Sequence, residues 1–96
     1  MVFFHIPPME YMSVWNTEKC AGSRYEDVAC WAAGDQFLER VSNIQATVAG
    51  HDHYNDYIGT YKGVDLIYGR KTGYGGYGPE PYLLHGARVF VIDLDE

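Results

Sequence analysis

The chain has 96 residues, a formal net charge of −6, 47% apolar and 21% charged residues, which fits one small globular domain and excludes a disordered one. Its seven Lys and Arg are scattered, which excludes the clustered cations that a nucleic-acid backbone requires. No run approaches the ~20 apolar residues of a membrane span, and no charged-then-apolar leader with a cleavage site is read.

In chain order, Val2-Phe3-Phe4 reads as a short buried strand ending at His5, and Ile6-Pro7-Pro8 breaks it because proline cannot continue a central ladder. Met9 to Trp15 reads as one or two helical turns. Asn16 to Asp27 is polar and reads as a loop that is long for so small a domain. A helix is expected from Gly34-Asp35, with Phe37, Leu38 and Val41 on one face and Asp35 at its positive end; Ser42-Asn43 closes it. Ile44 to Ala49 reads as the central strand. Tyr57 to Tyr61 and Val64 to Tyr68 read as a hairpin around Lys62-Gly63. Gly69 to Gly78 holds five of the eleven glycines, with Tyr74 and Tyr77 among them. This segment reads either as a tight loop with its tyrosines packed on the sheet or as a rim over a ligand site. Ala87 to Leu94 reads as a last strand.

The chemistry concentrates in Gly50-His51-Asp52-His53, which follows the apolar strand and opens the polar stretch Tyr54-Asn55-Asp56. Imidazole is the commonest neutral metal ligand near pH 7. Gly50 allows a sharp turn, so His51 and His53 can address one ion or diverge toward two. Such a pair on a surface loop is often idle. A third histidine, His5, at the end of another strand makes a metal site the stronger reading, because α/β sheets gather ligands at strand C-termini. Asp52, between the ligands, is expected to face solvent. Asn55 or Asp56 is expected either to orient a histidine or simply to form the turn. His85 is given no role. Cys20 and Cys30 are equally compatible with an intraloop disulfide and with free thiols, and their spacing from His51 and His53 does not match a zinc site.

Phe3-Phe4-His5-Ile6-Pro7 and Gly50-His51-Asp52-His53-Tyr54-Asn55-Asp56 resemble the last two metal-binding blocks of the calcineurin-like metallophosphoesterases, in the purple-acid-phosphatase-like branch. Tyr61-Lys62-Gly63, Tyr68-Gly69, Gly73-Tyr74-Gly75-Gly76-Tyr77-Gly78 and Gly86-Ala87-Arg88-Val89 also resemble that branch, so the likeness runs nearly end to end. It implies an α/β fold, with residues 1–96 as the C-terminal part of an αββα sandwich built on a mixed sheet with few helices. It implies that His5 and His51 bind one metal and His53 another, the ions being iron, zinc or manganese, and that they position a hydroxide for attack on a phosphate ester. Tyr74 and Tyr77 are then candidates for the substrate rim.

The family's earlier blocks, Asp-x-His, Gly-Asp-x-x-Asp and Gly-Asn-His-Glu/Asp, do not occur here, and Gly34-Asp35-Gln36-Phe37-Leu38 only imitates the second. The implied function is therefore a phosphoric ester hydrolase, a phosphomonoesterase, to which this chain contributes histidine ligands and an N-terminal portion contributes the rest; these residues alone are expected to be inactive. The alternative is a non-catalytic metal-binding or interaction module derived from the fold. Met1 allows a genuine short protein, and a truncated gene product fits equally. An upstream in-frame stretch encoding the missing blocks favours the enzyme; a clean stop codon favours the module.

Overall fold

The computed structural model describes residues 1–30 and 37–94. Five strands, β1 (Val2–Phe3), β2 (Ala21–Arg24), β3 (Ala46–Ala49), β4 (Asn55–Tyr61) and β5 (Val64–Tyr68), form one sheet in the order β1-β3-β5-β4-β2. β1, β3 and β5 run parallel, while β4 and β2 continue the sheet antiparallel. The fold is thus α/β with a mixed sheet, as expected from the family resemblance.

All four residues of β3 are buried, as in a strand covered on both faces. β4 and β5 are the expected hairpin. Lys62 and Gly63 have φ of +52° and +80°, the left-handed pair of a type I′ turn, whose twist matches that of the strands it joins. Helix α1 (Glu10–Thr17) lays Tyr11 and Val14 onto one face of the sheet. There they join Val28, Ala49, Tyr57, Leu66 and Tyr68 in the main core. The Tyr11 hydroxyl is wholly buried, 2.9 Å from Thr47 Oγ1, and it also meets the carbonyl and N–H of Ile67. Burial pushes its pKa up to about 12, the hydrogen bonds opposing this only in part. Ala46, Val48 and Ile67 form a smaller cluster on the opposite face.

Three expectations need correction. The polar stretch Asn16 to Asp27 contains strand β2, whose Ala-Gly-Ser-Arg sequence has no β-branched or aromatic residue to announce it. Gly22, at φ +115°, lets β2 approach β4: a Cβ there would lie 2.0 Å from the Asp56 carbonyl oxygen. The second helix, α2, spans only Phe37–Arg40, so Val41 falls beyond it; the expected start at Gly34-Asp35 lies outside the described residues. Finally, Ala87 to Leu94 is not a strand. Arg88 ties the segment to the Tyr68 carbonyl and to Asp56, and Phe90 packs on the smaller cluster and edge-on to Phe3. The segment is thus held to the sheet by side-chain contacts and is not one of its five strands. Val89, Val91 and Leu94 are left exposed.

No helix among the described residues is long and apolar enough to cross a membrane. Cys20 and Cys30 are free thiols, and burial, with nearby Glu18, pushes the Cys20 thiol up.

Candidate metal centre

Parallel pairing of β1, β3 and β5 brings three strand C-termini to one edge of the sheet. His5 follows β1, Gly50-His51 follows β3, and Gly69-Arg70 follows β5. The backbone then fixes the two histidines against each other. The N–H groups of Gly50 and His51 both donate to the His5 carbonyl, at 3.1 and 3.0 Å. A Cβ on Gly50 would make ordinary contact with the His5 ring at 3.7 Å, so this turn does not demand glycine.

His5 Nε2 and His51 Nδ1 lie 3.3 Å apart, with the rings nearly perpendicular at 85°. Two imidazole nitrogens bound tetrahedrally to one zinc at about 2.0–2.1 Å stand about 3.3–3.4 Å apart. The spacing therefore fits a shared ion. It equally suits one imidazole donating its N–H to the other.

His53 has its own partner, Tyr77. Its ring stacks on Tyr77, with centroids 4.2 Å apart, and its Nδ1 lies 2.8 Å from the Tyr77 carbonyl oxygen. An open cavity of about 620 Å³ is lined by His5 and His53, with Phe3, Phe4, Val48 and Ala49 and the stretch Arg70 to Gly73. No group of three or more histidine, cysteine or acidic side chains placed to hold an ion occurs among the described residues.

The neighbouring polar residues hold the loops. Asp52 is buried, contrary to the expectation that it faces solvent. Its carboxylate accepts the Ala29 N–H at 3.1 Å and the Tyr68 hydroxyl at 2.6 Å. Burial raises its pKa above the ordinary carboxylate value, against the pull of both hydrogen bonds. Asn55 accepts the N–H groups of Tyr25 and Glu26, and Asp56 is gripped by Arg70 and Arg88. Both therefore anchor loop segments, and their hydrogen bonds go to groups other than an imidazole.

Of the two rim tyrosines, Tyr77 meets His53, while Tyr74 is exposed and turns its ring to His85. Sequence reasoning missed Glu26, whose carboxylate accepts both the Tyr77 hydroxyl and the Tyr54 N–H. No local pattern marks it, because its partners lie 28 and 51 positions away.

A mixed sheet that presents His5 and a Gly-His-x-His turn at one edge is consistent with the metallophosphoesterase fragment that the sequence resembles. Comparison with curated proteins narrows the class. "Probable inactive purple acid phosphatase 28" of Arabidopsis thaliana is 41% identical over 97 residues, covering 98% of this chain and 24% of the relative. "Probable inactive purple acid phosphatase 29" of the same plant is 32% identical over 99 residues, covering all of this chain and 25% of the relative. "Probable inactive purple acid phosphatase 14", also from Arabidopsis thaliana, is 28% identical over 81 residues, covering 81% of this chain and 20% of the relative. No family model and no solved structure matches the chain. The chain is purple-acid-phosphatase-like over its length, similar to a C-terminal portion of these relatives, and spans about a quarter of the length of those that it matches.

Proposed function

We propose that this chain is the histidine-bearing portion of a phosphoric ester hydrolase, acting on monoesters, in which His5 and His51 hold one metal ion and His53 a second. The observation that carries the reading is the 3.3 Å approach of His5 Nε2 to His51 Nδ1 at the C-terminal edge of the parallel strands. Two bound ions, of iron, zinc or manganese, would polarise a phosphate ester and activate water. The chain's own contribution is orientation. The His5 carbonyl, taking two N–H groups from the Gly50-His51 turn, keeps the paired imidazoles together, and the cavity lined by His5 and His53 supplies apolar side chains alongside Arg70 and Lys71. Ligands beyond these three histidines, including a bridging carboxylate, would come from an N-terminal portion.

The test uses the chain alone and the chain joined to an N-terminal portion carrying the missing blocks. The chain alone should hydrolyse an aryl phosphate no faster than metal in buffer. The joined protein should turn it over, His51→Ala should lower that turnover by orders of magnitude, and Tyr54→Phe should change it little. Full activity with His51→Ala would refute the ligand assignment.

The word "inactive" in the relatives' names favours a second reading, a metal-binding or interaction module without catalysis. A joined protein that binds metal yet leaves the ester intact would establish it.

A further inference from the structure

His53 is gripped more closely than a surface histidine requires. Its Nδ1 faces the Tyr77 carbonyl oxygen at 2.8 Å, and a carbonyl only accepts, so Nδ1 carries the hydrogen. A neutral imidazole has one N–H, which leaves Nε2 as a bare lone pair. The His53 backbone N–H donates to the Tyr77 hydroxyl oxygen at 3.1 Å, and the two rings stack within 16° of parallel. One residue thus holds the backbone, the ring plane and the tautomer of His53.

Tyr77 is held in turn. Its hydroxyl hydrogen has the Glu26 carboxylate at 3.1–3.2 Å and the His51 carbonyl at 3.3 Å, and the carboxylate is the stronger acceptor. The Tyr54 ring stands edge-on to Tyr77. Gly78 makes this approach possible. It sits at φ +63°, and a Cβ there would lie 2.7 Å from the Tyr54 ring and 3.2 Å from His53 Cβ.

We propose that Tyr77, delivered by Gly78, is the positioning residue for His53, fixing the tautomer that offers bare Nε2 to a divalent cation. Metal-binding imidazoles commonly give their other N–H to a carbonyl or carboxylate, and this contact supplies that link from the glycine-rich loop. The inference rests on the proposed reading of His53 as a ligand. It assigns Tyr77 the orientation of that ligand, a different task from lining a substrate rim.

The test is long-range proton–nitrogen NMR on the 96-residue chain labelled at histidine nitrogen, at about pH 8.5, above the ordinary histidine range. In the parent chain, His53 should show a single tautomer with Nδ1 protonated. Gly78→Ala, which pushes the loop off His53, and Tyr77→Ala should each convert it to a mixture, while Tyr77→Phe, which keeps ring and carbonyl, should retain it. A parent chain with Nε2 protonated overturns the proposal without any variant. So does a tautomer unchanged by both Gly78→Ala and Tyr77→Ala. Adding zinc chloride to the protein joined to an N-terminal portion carrying the missing blocks probes the metal reading separately. A zinc-induced shift at His53 Nε2 supports both, whereas a locked tautomer that zinc leaves untouched counts against His53 as a ligand and not against the clamp.

Discussion

Replacing Asp52 with alanine removes the acceptor shared by two segments that frame the histidine turn. The Tyr68 hydroxyl, fully buried, loses a 2.6 Å partner, and the Ala29 N–H loses one at 3.1 Å. An orphaned buried donor costs about 1–3 kcal/mol. Ala29 is exposed, so water can replace its lost bond and its share is small. The loss also relieves a carboxylate whose ionised form is disfavoured by burial. The balance is a destabilisation of about 2 kcal/mol, with Asp52→Asn, which keeps one acceptor, costing about half as much. The same site has a pH signature. The folded chain holds the Asp52 proton more tightly than the unfolded chain does, so from about pH 4 up through the folded value unfolding releases a proton. Over that window this group's contribution to stability falls as pH rises. Urea denaturation across a pH series measures both effects. A cost below about 0.5 kcal/mol for Asp52→Ala, or a pH slope that is the same in Asp52→Asn, would refute the reasoning.

Gly22→Ala places a Cβ 2.0 Å from a backbone oxygen at φ +115°, and should cost more than about 3 kcal/mol or detach β2, read as lost hydrogen-exchange protection across β2 and β4. Arg88→Ala should leave global stability within about 1 kcal/mol while speeding chymotryptic cleavage at Phe90, because Asp56 keeps Arg70 and only the C-terminal segment is released. Of the nine tyrosines, buried Tyr11, Tyr57 and Tyr68 should stay un-ionised by ultraviolet absorbance at the ordinary phenol pKa, since burial raises all three. For Tyr11, with a folded value of about 12, the unfolded phenol ionises first, so its contribution to stability should fall between about pH 10 and 12.

The parts legible in the sequence are those set by local pattern. The apolar run before Gly50 is a strand, Lys62-Gly63 makes the hairpin turn, and two histidines read as sitting at strand ends do meet. What local pattern misses is what distant partners decide. β2 has no strand-forming composition and exists through its pairing with β4. Arg88 to Leu94 has that composition in full and is no strand; contacts of the Arg88 and Phe90 side chains hold it on the sheet instead. Asp52 sits between two polar histidines, yet its carboxylate turns inward because Tyr68, sixteen positions on, brings a hydroxyl to it. The Glu26–Tyr77–His53 chain depends on one loop closing over another.

Calorimetric titration of the 96-residue chain and its three single histidine-to-alanine variants with zinc tests the central claim most directly. The account predicts weak binding of one ion, abolished by His5→Ala and by His51→Ala and little changed by His53→Ala, because it assigns His53 to a second ion. Binding that survives His51→Ala, or that falls as far with His53→Ala as with His5→Ala, would contradict it.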